Sequence, residues 1–69
     1  MKVSISSREL EILRKSADGL TVQQIANDLN IPEQDITKSQ KKILQKIGTS
    51  NVLNALQALA KKGFVLSQE

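Results

Sequence analysis

Lysine, glutamine and threonine side chains recur along residues 33–47 at a spacing that suits contact with a polyanion. In a helix of about 100° per residue, this stretch has one polar and one apolar side. The polar side carries Gln34, Lys38, Lys41 and Gln45, flanked by Thr37 and Lys42, and the apolar side carries Ile36, Gln40, Ile43 and Ile47. Lysine donates to guanine O6 and N7, and glutamine bonds adenine bidentately, so these residue types suit the reading of base edges in duplex DNA.

The same polar side is also typical of an ordinary solvated amphipathic helix, whose outer lysines and glutamines contact only water. The residue types alone leave both interpretations open.

Catalytic chemistry has little support in the sequence. There is no cysteine and no histidine, which excludes the commonest zinc sites, thiol nucleophiles and imidazole bases. The acidic residues fall in capping, exposed or turn positions, and nothing pairs them with a base or nucleophile. We therefore expect no enzyme activity, no cofactor and no metal.

Charge and composition favour a nucleic-acid partner. The formal net charge is +3 and Phe64 is the sole aromatic residue, so the stacking platforms of most single-strand and RNA binders are missing and duplex DNA is the better polyanion. No apolar run approaches the roughly 18 residues of a membrane span. The sequence thus predicts no membrane partner and a cytoplasmic location.

The elements that would position the polar side are helices. A chain of 69 residues has room for one small core, so we expect a single all-α domain over residues 1–69. Two capping boxes, at residues 6–9 and 21–24, and Pro32 mark helix starts, and glycines mark the ends. The predicted helices cover about 6–18, 21–29, 33–47 and 50–62. Residues 2–6 and 63–66 alternate but are too short to form a sheet of consequence.

The second and third predicted helices are joined by a turn of about four residues, 29–32, which is the helix-turn-helix arrangement. That arrangement presents its second helix to the major groove of DNA.

The whole pattern resembles the LuxR-type, or GerE-type, helix-turn-helix domain of bacterial transcriptional regulators, from about residue 5 to residue 65. The stretches that carry the resemblance are ISSRELEIL at 5–13, ADGLT at 17–21, IANDLNI at 25–31, ILQKIG at 43–48, and residues 55–63. The resemblance implies a four-helix bundle-like domain without catalysis, with a third helix that recognises DNA and a fourth that often dimerises. Such domains usually form the C-terminus of a response regulator or an autoinducer receptor, and they sometimes occur alone.

Carried over by position, the resemblance implies base reading by Thr37, Lys38 and Lys41, two of which the helical wheel favours independently. Phosphate contacts are expected from Thr21, Gln23, Gln24, Gln34, Lys42, Gln45 and Lys46. The dimerisation surface is expected at Leu53, Leu56, Gln57 and Ala60.

Departures from the family pattern fall mainly at the DNA-contact positions. They are Pro32, Asp35, Thr37, Ser39 and Val52, which replace the usual Ser, Thr, Lys, His and Arg. Asp35 would repel nearby phosphates, although the first turn of a helix also stabilises a carboxylate.

The leading hypothesis is sequence-specific binding to double-stranded DNA as a dimer, for transcriptional regulation, with RNA polymerase or a regulatory domain as further partners. An alternative is a helix-turn-helix scaffold reused for protein binding, with weak or no DNA binding. Another is a relative that contacts promoters within a larger polymerase assembly, as sigma factors do.

Overall fold

The computed structural model describes residues 3–67 of the chain. In that range, the elements in chain order are β1 (Val3–Ser6), α1 (Ser7–Ala17), α2 (Val22–Leu29), α3 (Glu33–Ile47), α4 (Val52–Lys62) and β2 (Phe64–Ser67). The predicted all-α class is confirmed, and each predicted helix is present with ends within two residues of those expected. No helix in the described range is both long and apolar enough to cross a bilayer.

The helix starts follow local side-chain chemistry. The Glu9 backbone N–H donates to the Ser6 hydroxyl at 3.0 Å, and the Ser6 backbone N–H donates to Glu9 Oε1 at 3.0 Å. Thr21 and Gln24 make the same reciprocal pair at 3.1 and 2.9 Å. Each pair satisfies two backbone donors that the first helical turn cannot use, so both predicted capping boxes are confirmed.

The core draws on all the described helices and on β1. Its buried apolar residues are Ile5, Ile12, Leu13, Ile25, Ala26, Ile36, Ile43, Ala55 and Leu59. Isoleucines 36 and 43 belong to the predicted apolar side of α3, so burial of that side fixes which side of the helix faces solvent.

The two alternating stretches that are predicted to be too short for a sheet of consequence contribute one short strand each to a minor two-stranded sheet. Strands β1 and β2 pair in parallel, from Val3 opposite Phe64 to Ser6 opposite Ser67. Strand β1 leads directly into α1, and β2 follows α4, which packs on α1. The two short strands are therefore brought together by the helices, and the sheet remains a minor part of an all-α fold. Lys2, the first residue of the predicted stretch, lies outside the described range.

Candidate nucleic-acid interface

The outer side of α3 is the candidate interface. All six predicted polar residues on it are exposed, namely Gln34, Thr37, Lys38, Lys41, Lys42 and Gln45. No apolar side chain interrupts them, because Ile36 and Ile43 are buried on the opposite side and Leu44 and Ile47 are partly buried against the core. The structure thus brings these residues together on one continuous, donor-rich surface.

Thr37 differs from its neighbours because its hydroxyl is already used. Thr37 Oγ1 donates to the backbone carbonyl of Glu33 at 3.3 Å, one helical turn earlier. In this state the hydroxyl offers an acceptor and a methyl group to a base, while Lys38 and Lys41 offer donors.

The orientation of α3 is held by polar bonds as well as by the core. Gln40 Nε2 donates to Ser16 Oγ at 2.9 Å near the end of α1. One residue earlier on α1, Lys15 Nζ pairs with Asp28 of α2 at 2.7 Å, and this hydrogen bond raises the Lys15 pKa. Both halves of the helix-turn-helix pair are therefore tied to the same helix.

Lys46, a predicted phosphate contact, is engaged with the start of α1. Its ammonium donates to Glu9 Oε1 at 2.9 Å, to Glu9 Oε2 at 3.2 Å and to the Ser4 carbonyl at 3.2 Å. A lysine has three N–H donors, so these contacts use all of them. A phosphate could bind Lys46 only by displacing one of these acceptors.

The Glu9 carboxylate is stabilised as an anion by this arrangement. Burial raises the Glu9 pKa, but hydrogen bonds from the Ser6 backbone N–H and from Lys46 lower it by more, so the pKa lies below its ordinary value of 4.5. The charge of Glu9 is thus neutralised by Lys46 and the capping N–H.

The start of α2 offers further donors. Thr21, Gln23 and Gln24 are exposed there, and the capping box uses the oxygen atoms of Thr21 and Gln24 as acceptors. The Thr21 hydroxyl proton and the Gln24 amide protons remain available, beside the positive end of the helix dipole.

A groove of about 640 Å³, here called the α1–α3 groove, separates the start of α1 from one flank of α3. Its charged lining residues are Arg8, Glu9, Asp35, Lys38, Lys42 and Lys46. Arg8 has no local sequence signal as a site residue, because no pattern near residue 8 indicates that it lies across from residues 38 and 42.

The predicted dimerisation residues lie on α4. Leu53 is 58% exposed, Gln57 and Ala60 are exposed, and Leu56 is partly buried against the core. Residues 53, 57 and 60 fall on one side of a helix, so they form a small, mostly apolar stripe beside the core contact of Leu56.

The departures from the expected pattern occupy different environments. Pro32 stands at the N-cap of α3 and makes no capping side-chain bond. Asp35 is exposed, and Ser39 is partly buried, with both lining the α1–α3 groove. Val52 is partly buried against the core. Asp35 is the departure that brings a charge to the interface.

Metal ligation finds no support in the described range, where no group of three or more His, Cys, Asp or Glu residues could hold an ion.

Comparison with known families gives a match over most of the chain. The model of the GerE family, described as "Bacterial regulatory proteins, luxR family", matches residues 3–59. The matched range begins with β1, includes the helix-turn-helix pair and reaches Leu59 of α4. No curated protein sequence matches the chain closely enough to count as a relative.

Proposed function

Because the chain belongs to the luxR family of bacterial regulatory proteins, we propose that it binds specific duplex DNA sequences as a dimer and so regulates transcription. The members of this family are helix-turn-helix DNA-binding regulators and not enzymes. The observation that carries the proposal is the outer side of α3, where exposed lysines and glutamines form an uninterrupted surface. A helix with such a surface fits the width of the major groove.

Base reading is assigned to Thr37, Lys38 and Lys41. Lys38 and Lys41 project from the exposed side of α3 and take part in no ion pair within residues 3–67. Their ammonium groups are therefore free to donate to guanine O6 and N7. Thr37 supplies an acceptor and a methyl group, which suits a cytosine amine or a thymine methyl.

Phosphate contacts are assigned to residues that flank the base-reading residues 37, 38 and 41. Thr21, Gln23 and Gln24 offer side-chain donors at the start of α2, where the helix dipole also favours an anion. Gln34, Lys42 and Gln45 offer donors from α3. Lys46 belongs to the same set but would contribute only after giving up a contact with Glu9 or Ser4.

Dimerisation is assigned to the stripe of Leu53, Gln57 and Ala60 with Leu56. Two copies joined at α4 by a two-fold axis would place their α3 helices on half-sites about one helical turn of DNA apart. The role of an output domain in a response regulator, with RNA polymerase as a further partner, fits the family.

The test begins with selection of a preferred duplex from a random pool. Binding of that duplex and of a scrambled one is then measured by fluorescence anisotropy over a range of salt concentrations. The Lys38→Ala, Lys41→Ala variant is expected to lose the preference, because each base contact contributes about 1–3 kcal/mol of discrimination. Its matched control is Lys61→Ala, Lys62→Ala, which removes two exposed lysines from the end of α4 and should retain the preference.

The outcome that opposes the proposal is equally specific. If the intact chain selects no sequence and shows no salt-dependent duplex binding, the scaffold does not bind DNA, and capture of a protein partner becomes the better explanation.

A further inference from the structure

We propose that the α1–α3 groove holds the phosphodiester backbone of the DNA strand that borders the major groove, with Arg8 as a phosphate contact. The inference rests on the proposed function and extends the interface from the helix-turn-helix pair to the start of α1.

The first support is the charge balance of the groove. Within residues 3–67, the ion pairs join Lys46 to Glu9 and Lys15 to Asp28. Arg8, Lys38 and Lys42 therefore have no ion-pair partner in the groove lining, where Asp35 is the acidic residue without an ion pair. The groove is net positive at the place where Glu9 is already neutralised.

The second support is geometric. A helix with its side chains is about 10–12 Å across, close to the width of the major groove of about 12 Å, so a helix inserted there has a phosphate backbone beside each flank. Lys38 and Lys42 lie one turn apart on the flank of α3 that forms one wall of the groove, and Arg8 lies on the opposite wall. A DNA backbone that passes between the walls would contact Arg8 and Lys42, beside the Lys38 ammonium that is assigned to the bases.

The third support is the position of Arg8 in its own helix. Arg8 is the second residue of α1, where the positive end of the helix dipole disfavours a cation. Arg8 makes no side-chain hydrogen bond or ion pair within the described residues. The charge of Arg8 therefore does not stabilise α1. A guanidinium does suit bidentate contact with a phosphate.

The test compares Arg8→Gln with Arg14→Gln in the full 69-residue chain. Both arginines are exposed on α1, but Arg14 lines a separate, smaller groove with Leu10 and Leu66. Loss of one phosphate contact makes the log–log salt slope shallower by about 0.9 and weakens binding to all sequences alike. We expect this from Arg8→Gln and not from Arg14→Gln, with Arg8→Lys retaining the slope.

Thermal unfolding separates this role from a structural one. Removing a cation from the first turn of α1 should leave the unfolding midpoint of Arg8→Gln unchanged or higher, while its affinity for DNA falls. Equal slopes in Arg8→Gln and Arg14→Gln, in a chain whose binding still depends on Lys38 and Lys41, would overturn this inference and leave the proposed function standing. Absence of salt-dependent binding by the intact chain would overturn both.

Discussion

Asp35 is the residue that most directly opposes the proposed interface. Its carboxylate is exposed in the first turn of α3 and lines the α1–α3 groove with Lys38 and Lys42. Asp35→Asn should tighten binding to any duplex by about threefold to tenfold, because it removes a repulsion of about 1 kcal/mol between charges near contact in water. The same change should cost about 0.3–1 kcal/mol of stability at the helix start. Anisotropy titrations and urea unfolding measure the two effects.

Glu33→Gln is the matched control for Asp35→Asn. Glu33 is also exposed and acidic in the first turn of α3, but it does not line the groove. A gain in affinity that is equal for both variants would show that only the net charge matters, and the assigned position of Asp35 would be wrong.

Among individual residues, the sequence predicted the polar outer side of α3 better than it predicted the contacts around that side. The polar side of α3 could be predicted because the 15 residues of this helix are enough to show the helical period of polar and apolar side chains. The predicted exposure of that side is confirmed. The contact of Lys46 with Glu9 joins residues 37 positions apart, and Arg8 meets α3 only after folding. No local sequence pattern indicates the Lys46–Glu9 contact or the position of Arg8 beside α3. The sequence therefore indicated Lys46 as a phosphate contact and did not indicate Arg8.

The start of α1 is the element that the Lys46 contact stabilises. Glu9 is 12% exposed and Lys46 is 33% exposed at their side chains, so the pair is partly screened by water. Lys46→Met should lower the free energy of unfolding by about 1–2 kcal/mol, because it removes charge-assisted hydrogen bonds from a mostly buried carboxylate. Urea denaturation measures the loss.

Lys42→Met serves as the control, since Lys42 lies one turn earlier on the same helix and has no ion pair within residues 3–67. This variant should weaken DNA binding with little change in stability. An equal change in stability in both variants would show that the effect of Lys46→Met does not come from its contact with Glu9.

Whether a secondary-structure element could be predicted depends on how far apart in the sequence its interacting residues lie. The helices were predictable because capping boxes join residues three apart and glycine ends act locally. The sheet was not, because Val3 and Phe64 pair only after the helices have brought the two ends of the described chain together. Four residues per strand carry too weak a pattern to indicate a partner.

Association of whole molecules depends on the stripe on α4. Leu53→Glu should shift the proposed dimer toward monomer, because it places a charge within a small apolar contact. Sedimentation velocity over a range of concentrations measures the shift. Val65→Glu, at a residue 52% exposed on β2, is the control and should leave association unchanged. An intact chain that stays monomeric at high concentration, or a Leu53→Glu chain that stays dimeric, would contradict the assignment.

The stability of the whole molecule should depend on pH through Glu9. Its pKa in the folded state lies below the ordinary value of 4.5, so the unfolded chain binds the proton more readily than the folded chain does. The stability contributed by ionised Glu9 is present above about pH 4.5 and is lost as the pH falls through the folded-state pKa. Glu9→Gln removes this proton linkage, so its urea midpoint should fall less steeply below pH 4.5 than that of the intact chain. Glu11→Gln, at an exposed residue of the same helix, is the control and should retain the steeper fall of the urea midpoint. If the urea midpoints of the intact chain and of Glu9→Gln fall in parallel as the pH is lowered, the Glu9 contacts do not stabilise the fold.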